Sequence, residues 1–158
     1  MRSRHLAGGA ALAVALGTTP LLATPSQAAV DISASVIINE VYGGGGNNGA
    51  PLKNDFVELS NPGDTAVSLD GWSVQYTSAG RGFENTVPPA PLTGTIPAKG
   101  TYLLQLAAGT GAAAALPTPD ATGDINASGT SGTFALVSTT DPLACAATAC
   151  AADPAVVD

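Results

Sequence analysis

Apolar and polar residues alternate along this chain in short runs, broken by Gly, Pro, Asn and Asp. No stretch holds the period of an amphipathic helix over a useful length, and no segment repeats. Short runs between turn residues are what an all-β sandwich or barrel requires. The first run, residues 36–42, opens apolar on both faces, which predicts a well-buried strand. Residues 55–60 turn Val57 and Leu59 toward a core, and Phe56 and Glu58 away from it. Asn61-Pro62-Gly63-Asp64 puts Pro and then Gly at the central positions, the pattern of a type II turn. A short run, 65–69, ends at the tight-turn pair Asp70-Gly71. Three further runs each show one core face: Trp72, Val74 and Tyr76; Tyr102, Leu104 and Leu106; Phe134 and Leu136.

The intervening segments read as loops. Pro88, Pro89 and Pro91 keep residues 77–95 extended and out of a central strand. Residues 96–100 form a turn. Residues 109–132 are rich in Gly, Ala, Pro and Ser and predict a floppy excursion at the rim. The tail from residue 139 is a loop, with Val156-Val157 the start of another apolar run.

The N-terminus changes the picture of compartment. Arg2 and Arg4 precede an apolar, alanine-rich segment over 6–16, then Pro20 and Pro25, then the small-residue frame Ser26-Gln27-Ala28. This is the layout of a secretory signal peptide over 1–28, cut between Ala28 and Ala29. The alternative is a membrane anchor, since 6–30 is uncharged, but its prolines, glycines and alanines make a poor span. Cleavage leaves a secreted domain over 29–158, with no membrane contact expected. Arg2, Arg4 and the single histidine, His5, leave with the leader. Only Lys53, Arg81 and Lys99 then face the 12 acidic residues, for a net charge of −9. Three scattered cations cannot neutralise a run of phosphates, so direct nucleic-acid binding is not expected. Without histidine there is no Ser-His-Asp triad, Cys-His pair, HExxH site or Cys₂His₂ finger.

The candidate chemistry is sparse. Cys145 and Cys150 miss the CxxC spacing; in an exported protein they close a small disulfide loop, or one of them pairs with a cysteine outside this chain. Residues 44–49, GGGNNG, satisfy GxGxxG, but Ala50-Pro51 and a strand-like run follow where a dinucleotide fold needs a helix. The glycines instead predict a flexible loop. Its exposed part, with Gly43, Gly44, Asn47, Asn48 and Lys53, is the expected contact surface for a protein, cell-surface or matrix partner. Oxygen ligands for Ca²⁺ cluster at Asn39, Glu40, Asn47, Asn48, Asn54, Asp55, Glu58, Asn61, Asp64 and Asp70, without a DxDxDG run. Turn and cap roles account for the same residue types, so no cofactor is expected, with Ca²⁺ the alternative. Glu40, Asp55, Glu58 and Glu84 are the carboxylates available for acid–base work, with no aromatic-rich groove beside them, so no catalytic residue is assigned. Asn126-Ala127-Ser128 is a formal glycosylation sequon.

Taken as a set, several motifs resemble the lamin tail domain as it occurs in secreted bacterial proteins. They are Ile38, Glu40, Val41 and Tyr42 before the glycine loop; NDFVEL with Asn61; Leu69, Gly71 and Trp72; IPAKGTYLL; and PTPDATG. The resemblance covers about residues 36–140 and implies an immunoglobulin-like β-sandwich without catalytic residues. In bacteria such domains accompany secreted hydrolases, often metal-dependent nucleases or phosphatases of the endonuclease/exonuclease/phosphatase type, and serve as tethers. This implies an accessory binding module. The alternatives are a fragment of such a hydrolase lacking its catalytic domain, and a calcium-dependent adhesion module. The family continues past the AVVD position into a last hydrophobic strand, so the resemblance also implies a C-terminally truncated sandwich with one sheet edge bare.

Overall fold

Nine β-strands and one 3₁₀ turn make up the described part of a computed structural model, residues 36–84 and 87–158. The leader and its Ala28/Ala29 cut lie outside the described residues. The strands are β1 (Ile37–Tyr42), β2 (Asn54–Ser60), β3 (Val67–Ser68), β4 (Ser73–Ser78), β5 (Ala90–Pro91), β6 (Thr95–Ile96), β7 (Thr101–Ala108), β8 (Ala121–Thr122) and β9 (Gly132–Val137). Sheet one runs β1-β2-β7-β8, sheet two β5-β4-β9, and β3 pairs with β6 in a short ribbon. β8 joins β7 in parallel; the other pairings are antiparallel.

The architecture is an all-β, immunoglobulin-like sandwich, and the alternation in the sequence explains its core. Val57 and Leu59 of β2 and Tyr102, Leu104 and Leu106 of β7 meet Val74 and Tyr76 of β4 and Leu136 of β9. Trp72 and Phe134 pack half-buried against the same cluster. Each fully buried Val or Leu here contributes roughly 1.5–3 kcal/mol of transfer free energy, so the register is fixed by which face holds these residues. Phe56 does face outward, yet it is buried because its ring stacks on Tyr42, with centroids 5.6 Å apart.

Several expectations are corrected. β1 is an edge strand with a bulge at Asn39, so Ile37 and Ile38 are only half-buried and Val41 is 43% exposed. Gly63 lacks the positive φ that a type II turn needs. Its N–H is instead taken by Oδ1 of Asn61 (3.0 Å), an Asx turn. A type II geometry does occur at the next turn, where Trp72 N–H reaches the Leu69 carbonyl (3.0 Å) and Gly71 has φ 82°. The proline segment supplies the two-residue edge strand β5, where missing N–H groups do least harm.

The excursion over 109–132 is not floppy. It carries β8, and it sends Ile125 and Ala127 into the main core. The tail is not a plain loop either. Leu143 and Cys150, with Phe83 from the other side, pack on Ala135 and Val137 as a second cluster against the outer face of sheet two. Its end pairs with the free edge of β9: Val157 N–H donates to the Leu136 carbonyl, and Leu136 and Ser138 N–H donate to the Asp158 and Ala155 carbonyls, each at 2.8 Å. A carboxylate oxygen of Asp158 accepts the Ile38 N–H of β1 (2.7 Å). The end of the edge expected to be bare is therefore covered at residues 136–138.

Candidate functional site

The glycine loop is the first place to look, and it proves to be a packed junction. Gly45 and Gly46 are buried. A Cβ on Gly45 would strike the Asn54 backbone, and one on Gly43 the Ser128 carbonyl. Gly46, at φ 64°, lies against the Gly109 backbone, and Gly111 N–H donates to its carbonyl (2.8 Å). These glycines allow three chain segments to meet at van der Waals distance. Asp55 ties them together. It is 1% exposed, and its carboxylate accepts Gly45 N–H at 2.6 Å and Ala127 N–H at 2.7 Å. Of the expected contact residues, Asn47, Asn48 and Lys53 are exposed, while Gly43 and Gly44 are half-buried. Lys53 is itself held, its N–H on the Ala114 carbonyl (2.8 Å).

The other oxygen ligands are dispersed and occupied. Asn61, fully buried, donates through Nδ2 to the carbonyls of Thr65 (2.8 Å) and Pro97 (3.0 Å). Asn54 donates to the Leu106 carbonyl (2.9 Å), and Asp70 accepts Gly94 N–H (2.7 Å). Asp64 pairs with Lys99 at 2.9 Å, the residue whose φ of 55° forms the turn before β7. Register sets Glu40 opposite Glu58 on the exposed side of β1–β2, and Asn39 Nδ2 donates to Glu58 (2.7 Å). Glu84 lies elsewhere, beside the proline segment. Among the described residues no three Asp, Glu, Cys or His side chains converge as a metal site would need. Tyr102 has a perturbed phenol. Burial chiefly pushes its phenol up, opposed by its hydrogen bonds to Thr93 and aided by Asp120 and Asp70.

The tail cap was the feature that alternation hid. Alternation assigns Trp72, Val74 and Tyr76 to the core and leaves Ser73 and Gln75 on the other face, with Thr77 in the loop that follows, yet Ser73, Gln75 and Thr77 are all buried. Ser73 Oγ donates to the Thr139 carbonyl (2.6 Å), Gln75 Nε2 to the Asp141 carbonyl (2.8 Å), and Gln75 Oε1 accepts Leu143 N–H (2.9 Å). Thr77 donates to the Gly82 carbonyl (2.9 Å). Cys145 and Cys150 are joined in a disulfide, their Cα atoms 5.4 Å apart, and Phe83 N–H donates to the Cys145 carbonyl (2.9 Å).

Where the cap meets the proline segment there is an open groove of about 470 Å³. Phe83, Val87, Pro88 and Pro89 form one wall and Pro142, Leu143 and Ala144 the other, with Glu84 the only charged lining residue among those described. A second hollow of about 280 Å³ lies across Pro88 and Pro89, bounded by Thr122, Gly123 and Asp124. Sequence reading missed this surface. Its walls come from a proline loop and a tail that meet only in the fold.

The motif residues thus clamp the sandwich together. PTPDATG does so too: Asp120 exchanges bonds with Leu103, its N–H on the Leu103 carbonyl (2.9 Å) and its carboxylate on the Leu103 N–H (2.8 Å). A family model for the lamin tail domain matches residues 30–147. The chain belongs to the lamin tail domain family. No curated protein matches it. The lamin tail match ends just after Cys145, so the 3₁₀ turn (Cys150–Ala152) and the segment that pairs with β9 lie outside the matched residues.

Proposed function

We propose that this lamin-tail-type chain is a non-catalytic, extracellular binding or tethering module, accessory to a secreted hydrolase. The observation that carries the reading is the contrast between its polar and apolar surfaces. The carboxylates are apart or already bonded within the fold, whereas the groove between Phe83 and Leu143 offers apolar surface open to a partner. The leader pattern and the Cys145–Cys150 disulfide favour an exported domain.

One experiment tests both halves. The full chain, expressed with its leader in a bacterial host, is expected outside the cytoplasm with Ala29 as its first residue. The purified product is expected to leave bis(p-nitrophenyl) phosphate intact with Mg²⁺, Mn²⁺ or Ca²⁺. Cytoplasmic retention would overturn the extracellular assignment. Turnover abolished by Glu40→Gln or Glu58→Gln would overturn the non-catalytic one and place a hydrolytic centre on the β1–β2 face.

A further inference from the structure

The grooves on either side of the Pro88-Pro89 ridge share that ridge as a common wall. Among the described residues, the charged lining residue of the first hollow is Glu84 and that of the second is Asp124. Both residues are exposed. Among the described residues no lysine or arginine lines either hollow. The one nearby cation, Arg81, lines an adjoining hollow beyond Glu84, and among the described residues the sole ion pair is Lys99–Asp64. Prolines restrict the backbone, Val87 rests on the main core, and Phe83 and Leu143 belong to the second cluster. A ligand would therefore meet a surface that needs little ordering.

We propose that this ridge and its two flanking hollows dock an extended peptide segment of a partner protein, with apolar side chains over Val87, the prolines and Leu143 and cationic side chains beside Glu84 and Asp124. The inference rests on the binding-module reading and names its partner's chemistry. Charge selects the occupant. A domain with three cations against 12 acids repels acidic segments at long range and attracts basic ones. The apolar walls select against a purely polar basic segment, which would bury them without gain. A second copy of this chain is disfavoured by the same acidity.

The test uses the full chain and two blocked synthetic peptides, Arg-Arg-Leu-Val-Leu-Arg and its counterpart with glutamate at each arginine. Binding is read by amide chemical shifts. The expected result is saturable shifts at Phe83, Val87, Leu143 and Ala144 with the arginine peptide only, weakening as NaCl rises. Glu84→Lys with Asp124→Lys, two exposed positions, should weaken binding about fivefold or more while leaving the melting temperature in place. Three results would overturn the proposal: no saturable shift with either peptide, equal binding of both, or shifts confined to another face such as β1–β2. Each can occur in a correctly exported, non-catalytic chain, so this failure is separable from failure of the export and turnover experiment.

Discussion

Asp55 does the most with the fewest atoms. Its two oxygens close the glycine loop and the 127 segment onto the end of the sandwich. Asp55→Ala would strand two buried N–H donors, and each such group costs about 1–3 kcal/mol. We expect a loss of roughly 2–5 kcal/mol in urea unfolding, with Asp55→Asn intermediate because an amide presents one acceptor. Unchanged unfolding for Asp55→Ala would mean the junction is not under tension between donor and acceptor at all. Tyr102 makes a pH prediction. Its phenol donates to the Thr93 carbonyl (2.8 Å), and burial raises its pKa above the ordinary 10.0. The neutral form is thus favoured by folding. The stabilisation is complete below pH 10 and is lost as pH rises through the raised folded value. Tyr102→Phe should be less stable at pH 7 and should show a shallower decline in melting temperature above pH 10.

Elements explain what could and could not be read from the residues alone. Strands whose alternate residues enter one core, β2, β4 and β7, follow the period of two, and their inward residues were legible to the residue. The glycine loop was legible as glycine-dependent but not as packed, because its partners, Gly109 and Ser128, are more than 60 residues away in sequence. The outer face of β4 misled for a physical reason. Serine, glutamine and threonine look the same whether water or a covering segment satisfies them, and here the cap supplies the carbonyls for Ser73 and Gln75 and the loop after β4 the one for Thr77. The groove was illegible on the same grounds. The cap also carries a prediction. In the chain-entropy account, a loop as short as that between Cys145 and Cys150 is worth about 2 kcal/mol. Cys145→Ser with Cys150→Ser should lose roughly that amount and should expose Gln75 and Leu143 amides to hydrogen exchange before those of Val57 or Leu104. Uniform exchange across both clusters would show that the cap and the sandwich open together.

At the scale of the whole molecule, charge is the dominant unbalanced quantity. Over residues 29–158 three cations face 12 acids, and the one ion pair among the described residues, Lys99–Asp64, is highly exposed, at 62% and 90% of the two side chains. Such a pair contributes little, so salt has almost nothing favourable to screen. The repulsion among the remaining carboxylates, Glu40 and Glu58 on facing strands included, is what salt weakens. Raising NaCl from low ionic strength to about 0.15 M, where the Debye length is about 8 Å, should therefore raise the melting temperature by a few degrees, whereas a protein stabilised by surface ion pairs would lose stability. Calcium separates general screening from a site. If Asn39, Glu40 and Glu58 serve only as an exposed row, millimolar CaCl₂ at matched ionic strength should act as NaCl does. A further rise that Glu58→Gln abolishes would instead assign a calcium site to the β1–β2 face, and would make calcium-dependent adhesion the better account of this surface.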